Sequence, residues 1–152
     1  MKVLLDTNLL LRLGDRGSPA HGEAVAAIDW LHAHGHQGVL VPQVLYEYWV
    51  VATRPLNVNG LGMEPVVVGQ VLEKWMAAFP PLLDERGVFV RWRDLVSSFD
   101  VKGKNAHDAR LVAAMQRHRV TTLVTFNTPD FARFTGINVF SPADVLNGLL
   151  TA

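Results

Sequence analysis

The 152-residue sequence contains no cysteine, which excludes disulfides, thiolate metal sites and cysteine nucleophiles. It has no excess of either charge, since 14 Lys and Arg balance 14 Asp and Glu, so nucleic-acid binding would need a local basic patch. No apolar run approaches the ~18 residues of a membrane span. The first residues lack the pattern of a signal peptide. We therefore expect a cytoplasmic protein with a single domain over residues 1–152.

Short apolar runs alternate with segments of helical periodicity along the whole chain. Apolar runs without internal alternation are typical of strands that are buried on both faces of a parallel sheet. The predicted strands are 1–5, 39–41, 88–90, 121–125 and 138–140. Helical patterns separate them, so the predicted fold class is α/β, an α/β/α sandwich with a central parallel sheet of four to five strands.

Asp6 follows the first apolar run directly. The carboxyl end of a strand is where open α/β sheets hold their ligands, so Asp6 is a candidate metal ligand. The alternative is that Asp6 caps the helix that begins near Leu9, and for this segment alone the cap is the more frequent role. The choice depends on whether other acids meet Asp6.

Glu47 interrupts an apolar helix face. Val44, Tyr48 and Val51 form a stripe at helical spacing, and Glu47 lies within it. A carboxylate on an inward face costs several kcal/mol unless a cation or hydrogen-bond donors meet it. The alternative is that Glu47 reaches solvent at the edge of the stripe, or pairs with Arg54.

Asp108 heads a second apolar stripe, which continues through Leu111, Val112 and Met115. This spacing directs Asp108 along the buried face of a helix. The alternative is a capping box in which Asn105 is the N-cap and Asp108 stands at the third helical position.

Polar residues also follow the strand predicted over 121–125. Asn127 and Asp130 are candidates for a metal ligand, for a group that acts through water, or for ordinary turn residues. If the acids converge at the carboxyl edge of the sheet, their repulsion calls for hard divalent ions, Mg²⁺ or Mn²⁺. Such ions activate water and stabilise charge on phosphate oxygens, which favours phosphodiester hydrolysis. No Gly-rich phosphate loop follows the first strand, which counts against a nucleotide-binding fold.

Four segments, in this order over nearly the whole chain, resemble PIN-domain proteins and more narrowly the VapC-type ribonuclease toxins of toxin–antitoxin modules. They are Asp6-Thr7-Asn8, Leu45-Tyr46-Glu47 with Ala52-Thr53-Arg54-Pro55, Asp108-Ala109-Arg110-Leu111, and Thr125-Phe126-Asn127 with Asp130-Phe131. The resemblance implies a Mg²⁺- or Mn²⁺-dependent endoribonuclease that cleaves RNA. It also implies a homodimer and a cognate antitoxin that holds the enzyme inactive.

The resemblance also implies roles for individual residues. The acidic metal-site positions of the family match Asp6, Glu47 and Asp108. Asn8 matches the polar residue that supports the first Asp, and Thr125 matches a hydroxyl residue near the site. The sequence departs from the family at Asn127, where an Asp is common, and Asp130 follows one residue later than the second Asp of that segment. Since an amide brings no charge, the number of metal ions is in question.

Four cations are candidates for binding RNA phosphates, with ordinary surface charge as the alternative for each: Arg54, Lys102, Lys104 and Arg110.

Two other functions fit parts of the pattern. A haloacid-dehalogenase-type phosphatase also begins with Asp after its first strand, but Asn8 stands where that chemistry needs a second Asp. A non-catalytic PIN-like module for RNA binding or interaction could use the long loop over 54–63. A response-regulator receiver is disfavoured, because no acidic pair precedes a phosphorylatable Asp.

Overall fold

The computed structural model describes residues 1–150, and the predicted domain extends two residues beyond them. Within these residues, four strands and seven helices follow one another. They are β1 (Lys2–Leu5), α1 (Thr7–Leu13), α2 (His21–Ala33), β2 (Gln37–Val39), α3 (Pro42–Thr53), α4 (Pro65–Ala78), α5 (Val88–Ser98), α6 (Asn105–His118), β3 (Thr122–Val124), β4 (Asn138–Phe140) and α7 (Pro142–Leu146). Two short 3₁₀ turns, Leu56–Val58 and Thr128–Phe131, lie in the connections.

The four strands form one sheet in the order β2–β1–β3–β4, and every neighbouring pair is parallel. Helices flank this sheet, so the predicted α/β fold with a parallel sheet of four to five strands is confirmed. Parallel pairing is possible because the connections after β1, β2 and β3 return the chain to the same end of the sheet. Helices form the first two connections, and the third contains the 3₁₀ turn Thr128–Phe131. The two central strands, β1 and β3, therefore end side by side.

The apolar runs of β1 and β3 explain why these strands are central. Val3, Leu4 and Leu5 are at most 1% exposed, and Leu123 and Val124 are fully buried. Successive side chains of a strand point to opposite faces, so burial of adjacent residues means that both faces of the sheet are covered. On the helical layers, α2 packs against α7 and α5 packs against α6.

The prediction of a strand over 88–90 is wrong, because these residues are the first turn of α5. Val88 is buried, whereas Phe89 is 65% exposed, which a doubly covered strand would not allow. Val88, Trp92 and Leu95 instead recur at the i, i+4, i+7 spacing of a helix face. Gly87 precedes the helix at φ 93°, a left-handed conformation that glycine adopts without steric cost.

The predicted strand over 39–41 is shifted, since β2 ends at Val39. Leu40 instead makes an isolated parallel bridge with Pro81, in the segment that leaves α4. Leu40 donates to the Pro80 carbonyl at 3.3 Å and accepts from the Leu82 amide at 2.8 Å, so this segment partly covers the free edge of β2. Over residues 1–150, none of the helices is long and apolar enough to cross a membrane.

Candidate active site

Asp6 lies where the two central strands end. β1 and β3 pair with Leu5 opposite Val124, so the residues that follow, Asp6 and Thr125, are neighbours. The Asp6 amide donates to the Val124 carbonyl at 3.1 Å. The chain leaves β1 for β2 on one side and reaches β3 on the other side of β1. Such a reversal opens the crevice in which α/β sheets hold ligands.

The Asp6 carboxylate is enclosed by hydrogen-bond donors. Its Oδ1 accepts from the Thr7 amide at 2.7 Å, so the predicted capping of α1 is present. Its Oδ2 accepts from the Thr125 hydroxyl at 2.8 Å and from the Asn8 amide group at 3.3 Å. Burial raises the pKa of Asp6 to about 6, against the lowering effect of the hydrogen bonds from Thr125 and Thr7. The negative charges of Glu47 and Asp130 raise this pKa further.

Thr125 orients Asp6 through its hydroxyl group, which makes every hydrogen bond that it can make. It donates to Asp6 and accepts from the Asn8 side chain and the Asn127 backbone amide, both at 3.0 Å. A hydroxyl has one donor and two acceptor sites, so all three are filled. Asn8 is fixed in turn, because its Oδ1 accepts from the Phe126 amide at 3.1 Å. The Asp6 carboxylate therefore has little rotational freedom.

Glu47 is half-buried on α3 and is oriented by two other side chains. Thr7 donates its hydroxyl to Oε2 at 2.7 Å, and Gln43 donates to Oε1 at 2.9 Å. Glu47 thus neither pairs with Arg54 nor turns away to solvent, the two alternatives that the sequence left open. Thr7 contributes twice to the site, since its backbone holds Asp6 and its side chain holds Glu47.

Gln43, which was not predicted as a site residue, connects Glu47 to α6. Its side chain is 5% exposed. Besides donating to Glu47, it donates to the His107 carbonyl at 2.8 Å and accepts from Arg110 at 3.1 Å. A glutamine in the otherwise apolar first turn of α3, four residues before Glu47, was the available signal.

Asp108, on α6, lines the same cavity as Asp6 and Glu47. A cavity of about 770 Å³ is lined by Asp6, Glu47 and Asp108 together with the other polar and apolar residues of its rim. Desolvation by burial raises the pKa of Asp108 to about 6, and the negative charges of Asp130, Asp6 and Glu47 add to this effect. The three predicted acids thus face one cavity, and their negative charges contribute to the raised pKa values of Asp6 and Asp108.

The predicted capping box at Asn105 is not formed. α6 begins at Asn105, the preceding Lys104 has helical φ and ψ, and no side chain caps this end of the helix. Asn105 is therefore inside the helix and cannot serve as its N-cap. Asp108 still lies in the first turn, where the helix dipole favours an acid.

The remaining candidates divide between the cavity and its surroundings. Arg54, Arg110 and Asn127 line the cavity. Asp130 is exposed on the Thr128–Phe131 turn, although it is close enough for its charge to raise the pKa of Asp6 and Asp108. Lys102 and Lys104 are not among the lining residues, and Lys102 pairs at the surface with Asp100 at 3.3 Å.

The three acids that line the cavity have the chemistry of a site for a hard divalent cation. Asp6, Glu47 and Asp108 supply carboxylate oxygens, the ligands that Mg²⁺ and Mn²⁺ prefer. Their mutual repulsion, which adds to the burial that raises the pKa of Asp6 and Asp108, would be offset by a divalent cation. Within residues 1–150, however, no three His, Asp or Glu side chains are gathered closely enough to share one ion.

Comparison with known proteins found no matching family model. The chain is 25% identical over 144 residues to a protein named ribonuclease VapC48 from Mycobacterium tuberculosis. The aligned region covers 93% of this chain and 98% of that protein. A toxin–antitoxin complex from Klebsiella pneumoniae contains a chain that is 26% identical, with a TM-score of 0.63 over 92% of this chain and 97% of that one. VapBC2 from Rickettsia felis, bound to a promoter DNA fragment, shares the fold with a TM-score of 0.68 at 14% identity over 93% of this chain and 98% of that one. The resemblance to VapC-type PIN-domain proteins is confirmed.

Proposed function

We propose that this VapC-type PIN-domain protein is a Mg²⁺- or Mn²⁺-dependent endoribonuclease and the toxin of a toxin–antitoxin pair. The observation that carries the proposal is the convergence of Asp6, Glu47 and Asp108 on one cavity at the reversal of strand order. The similarity to a ribonuclease VapC over nearly the whole chain supports the same activity. We also propose a cytoplasmic location, where cellular RNA would be available as the substrate.

We assign metal binding to Asp6, Glu47 and Asp108, with Asp130 or Asn127 contributing directly or through water. A divalent ion held there would lower the pKa of a bound water and offset charge on the phosphate. The chain's own residues orient the acids: Thr125 and Asn8 hold Asp6, while Thr7 and Gln43 hold Glu47. Fixed carboxylates cost less reorganisation when an ion binds, so these contacts favour metal affinity.

Arg54 and Arg110 are the cations best placed to meet the RNA backbone, because both line the acid cavity. Lys102 and Lys104 lie outside the cavity lining and could contact only a more distant phosphate of the same strand. A phosphate close to the three acids needs compensating positive charge, which the arginines and a bound metal ion would supply together.

The haloacid-dehalogenase alternative receives no support from the position of Asn8. Its side chain donates to Asp6 and to Thr125 and accepts from the Phe126 amide. Asn8 is thus committed to holding Asp6, whereas a phosphatase needs an acid there that can transfer a proton to the leaving group.

A homodimer and a cognate antitoxin are the protein partners that we propose. The acid cavity has an apolar rim that includes Tyr46, 62% exposed, and Val50, 53% exposed. Apolar side chains that remain exposed together are typical of protein interaction surfaces. Gel filtration of the protein alone, and after co-expression with the product of a neighbouring antitoxin gene, tests both partners.

RNA cleavage by the purified protein tests the enzymatic proposal. We expect cleavage with Mn²⁺ or Mg²⁺, its loss in EDTA, and its loss in Asp6→Asn. Asp29→Asn, which removes a negative charge from the exposed face of α2, is the matched control and should cleave as the wild type does. Cleavage that persists in EDTA or in Asp6→Asn would contradict the proposed site. Binding of RNA without cleavage under either metal would favour a non-catalytic module.

A further inference from the structure

We propose that a groove beside the acid cavity binds one unpaired nucleobase of the RNA substrate, stacked on Phe89. This inference rests on the proposed ribonuclease function and states how the substrate is held next to the cleavage site. Proteins that recognise single-stranded RNA commonly stack its bases on aromatic side chains. Phe89 is suited to this role by its exposure, its support and its position.

Phe89 presents an aromatic face on a fixed support. The Phe89 side chain is 65% exposed on α5, although burial of a phenyl ring stabilises a protein strongly. It stacks on Trp92, one turn later, with ring centroids 5.9 Å apart and an interplanar angle of 29°. Trp92 is itself fixed, since its indole N–H donates to the Ala106 carbonyl of α6 at 2.8 Å. The pair therefore forms an aromatic platform anchored to the helix that carries Asp108.

The groove adjoins the candidate active site, with which it shares the lining residue Arg110. It has a volume of about 470 Å³ and is lined by Asp84, Glu85, Val88, Phe89, Trp92 and Arg110. Arg110 lines the acid cavity as well. The guanidinium of Arg110 thus lies on the wall between the two spaces. An RNA strand whose phosphate occupies the acid cavity can place a flanking base in the groove without leaving the surface.

The charges of the groove favour a base over a phosphate. Asp84 pairs with Arg110 at 3.1 Å, and Glu85 pairs with Arg117. These carboxylates oppose a second phosphate, but they can accept hydrogen bonds from the exocyclic amino group of a base. An aromatic platform with a polar acceptor at its edge matches a nucleobase, which has an apolar face and a polar rim. An apolar segment of a protein partner is the rival occupant, because it would also cover Phe89.

Binding of a fluorescein-labelled single-stranded RNA oligonucleotide in EDTA tests the proposal without cleavage. Phe89→Ala should weaken binding by roughly tenfold, the loss that corresponds to about 1.4 kcal/mol of stacking. Phe89→Tyr keeps the aromatic face and should bind as the wild type does. Val90→Ala, which truncates another exposed apolar residue of α5, is the matched control and should also leave affinity unchanged. Phe89→Ala should fold normally because the side chain makes little core contact, and circular dichroism checks this.

Cleavage kinetics with Mn²⁺ provide a second readout. Loss of a contact made equally in the ground state and the transition state raises KM and leaves kcat unchanged, so Phe89→Ala should raise KM roughly tenfold at constant kcat. Wild-type cleavage together with unchanged binding and KM in Phe89→Ala would overturn this inference and leave the ribonuclease proposal intact. A wild-type protein that neither binds nor cleaves RNA would overturn both. If Phe89→Ala weakens only antitoxin binding, the groove is a protein-docking surface and the inference is wrong.

Discussion

Replacing Asp6 with asparagine should stabilise the metal-free protein at neutral and alkaline pH while abolishing cleavage. The pKa of Asp6 is raised from 3.8 to about 6, mainly because the carboxylate is buried. A pKa that folding raises means that ionised Asp6 lowers the free energy of unfolding. The difference between the two pKa values corresponds to about 3 kcal/mol at pH well above 6.

Asparagine removes the charge but cannot reproduce every contact. Its oxygen can accept from the Thr7 amide, so the cap of α1 survives. Its NH₂ group then faces the Thr125 hydroxyl and the Asn8 NH₂ group, which both donate to Asp6 in the wild type. Thr125 cannot accept, because its two acceptor positions already serve Asn8 and the Asn127 amide. This mismatch costs about 1 kcal/mol, which leaves a net gain of about 2 kcal/mol at pH 8.

The stability advantage of Asp6→Asn over the wild type should shrink as the pH falls. As the pH falls through 6, folded Asp6 takes up a proton before the unfolded chain does, so the wild type gains stability that Asp6→Asn cannot gain. About 2 kcal/mol is recovered by pH 4.5, which brings the two proteins to nearly equal stability. The window therefore lies between about pH 4 and pH 7 and reflects the raised folded pKa.

Urea unfolding in EDTA at a series of pH values measures this difference. Asp29→Asn, on the exposed face of α2, controls for the loss of a negative charge away from the site. A difference between wild type and Asp6→Asn that does not change with pH would refute the argument. So would an Asp6→Asn protein that is less stable than the wild type at pH 8, because burial of the charge would then not be the dominant effect.

Three further predictions concern the metal, its supporting residues and the core. Adding Mn²⁺ should raise the melting temperature of the wild type in differential scanning fluorimetry, because a Mn²⁺ concentration of 100 times Kd stabilises the folded protein by about 2.7 kcal/mol. Asp108→Asn should reduce this rise in melting temperature. Gln43→Leu should weaken Mn²⁺ affinity by about 10- to 100-fold in isothermal titration, because Glu47 loses a donor, whereas an unchanged affinity would show that Glu47 does not depend on Gln43. Leu4→Ala should lower the free energy of unfolding by about 2–5 kcal/mol in urea, because Leu4 is 1% exposed at the centre of the sheet, and a loss below about 1 kcal/mol would contradict the tight packing there.

The fold class and the three acids that line the cavity could be predicted from the amino-acid sequence alone. The uninterrupted apolar run before Asp6 indicates a doubly covered strand, and that strand is central in the structure. Glu47 and Asp108 interrupt helical apolar stripes, and a stripe of this kind specifies which side of a helix faces the core. Local patterns carry this information because burial and periodicity are properties of neighbouring residues.

The period of a short apolar run was not decided by the sequence. Val88-Phe89-Val90 satisfies a buried strand and a helix turn equally well over three residues. The wider spacing of Val88, Trp92 and Leu95 favours the helix, and the packing of α5 against α6 buries Val88 and leaves Phe89 outside. The exposed platform of Phe89 and Trp92 therefore became visible only in three dimensions.

The contacts that orient the acids also needed the tertiary structure. Gln43 meets His107 and Arg110 across 64 and 67 residues of sequence, and Thr125 meets Asp6 across 119. No local pattern specifies such pairs, because strand order and helix packing bring them together. Sequence alone selected the acids by their chemistry, whereas the topology of the sheet decided that β1 and β3 end side by side and hold Asp6 between their donors.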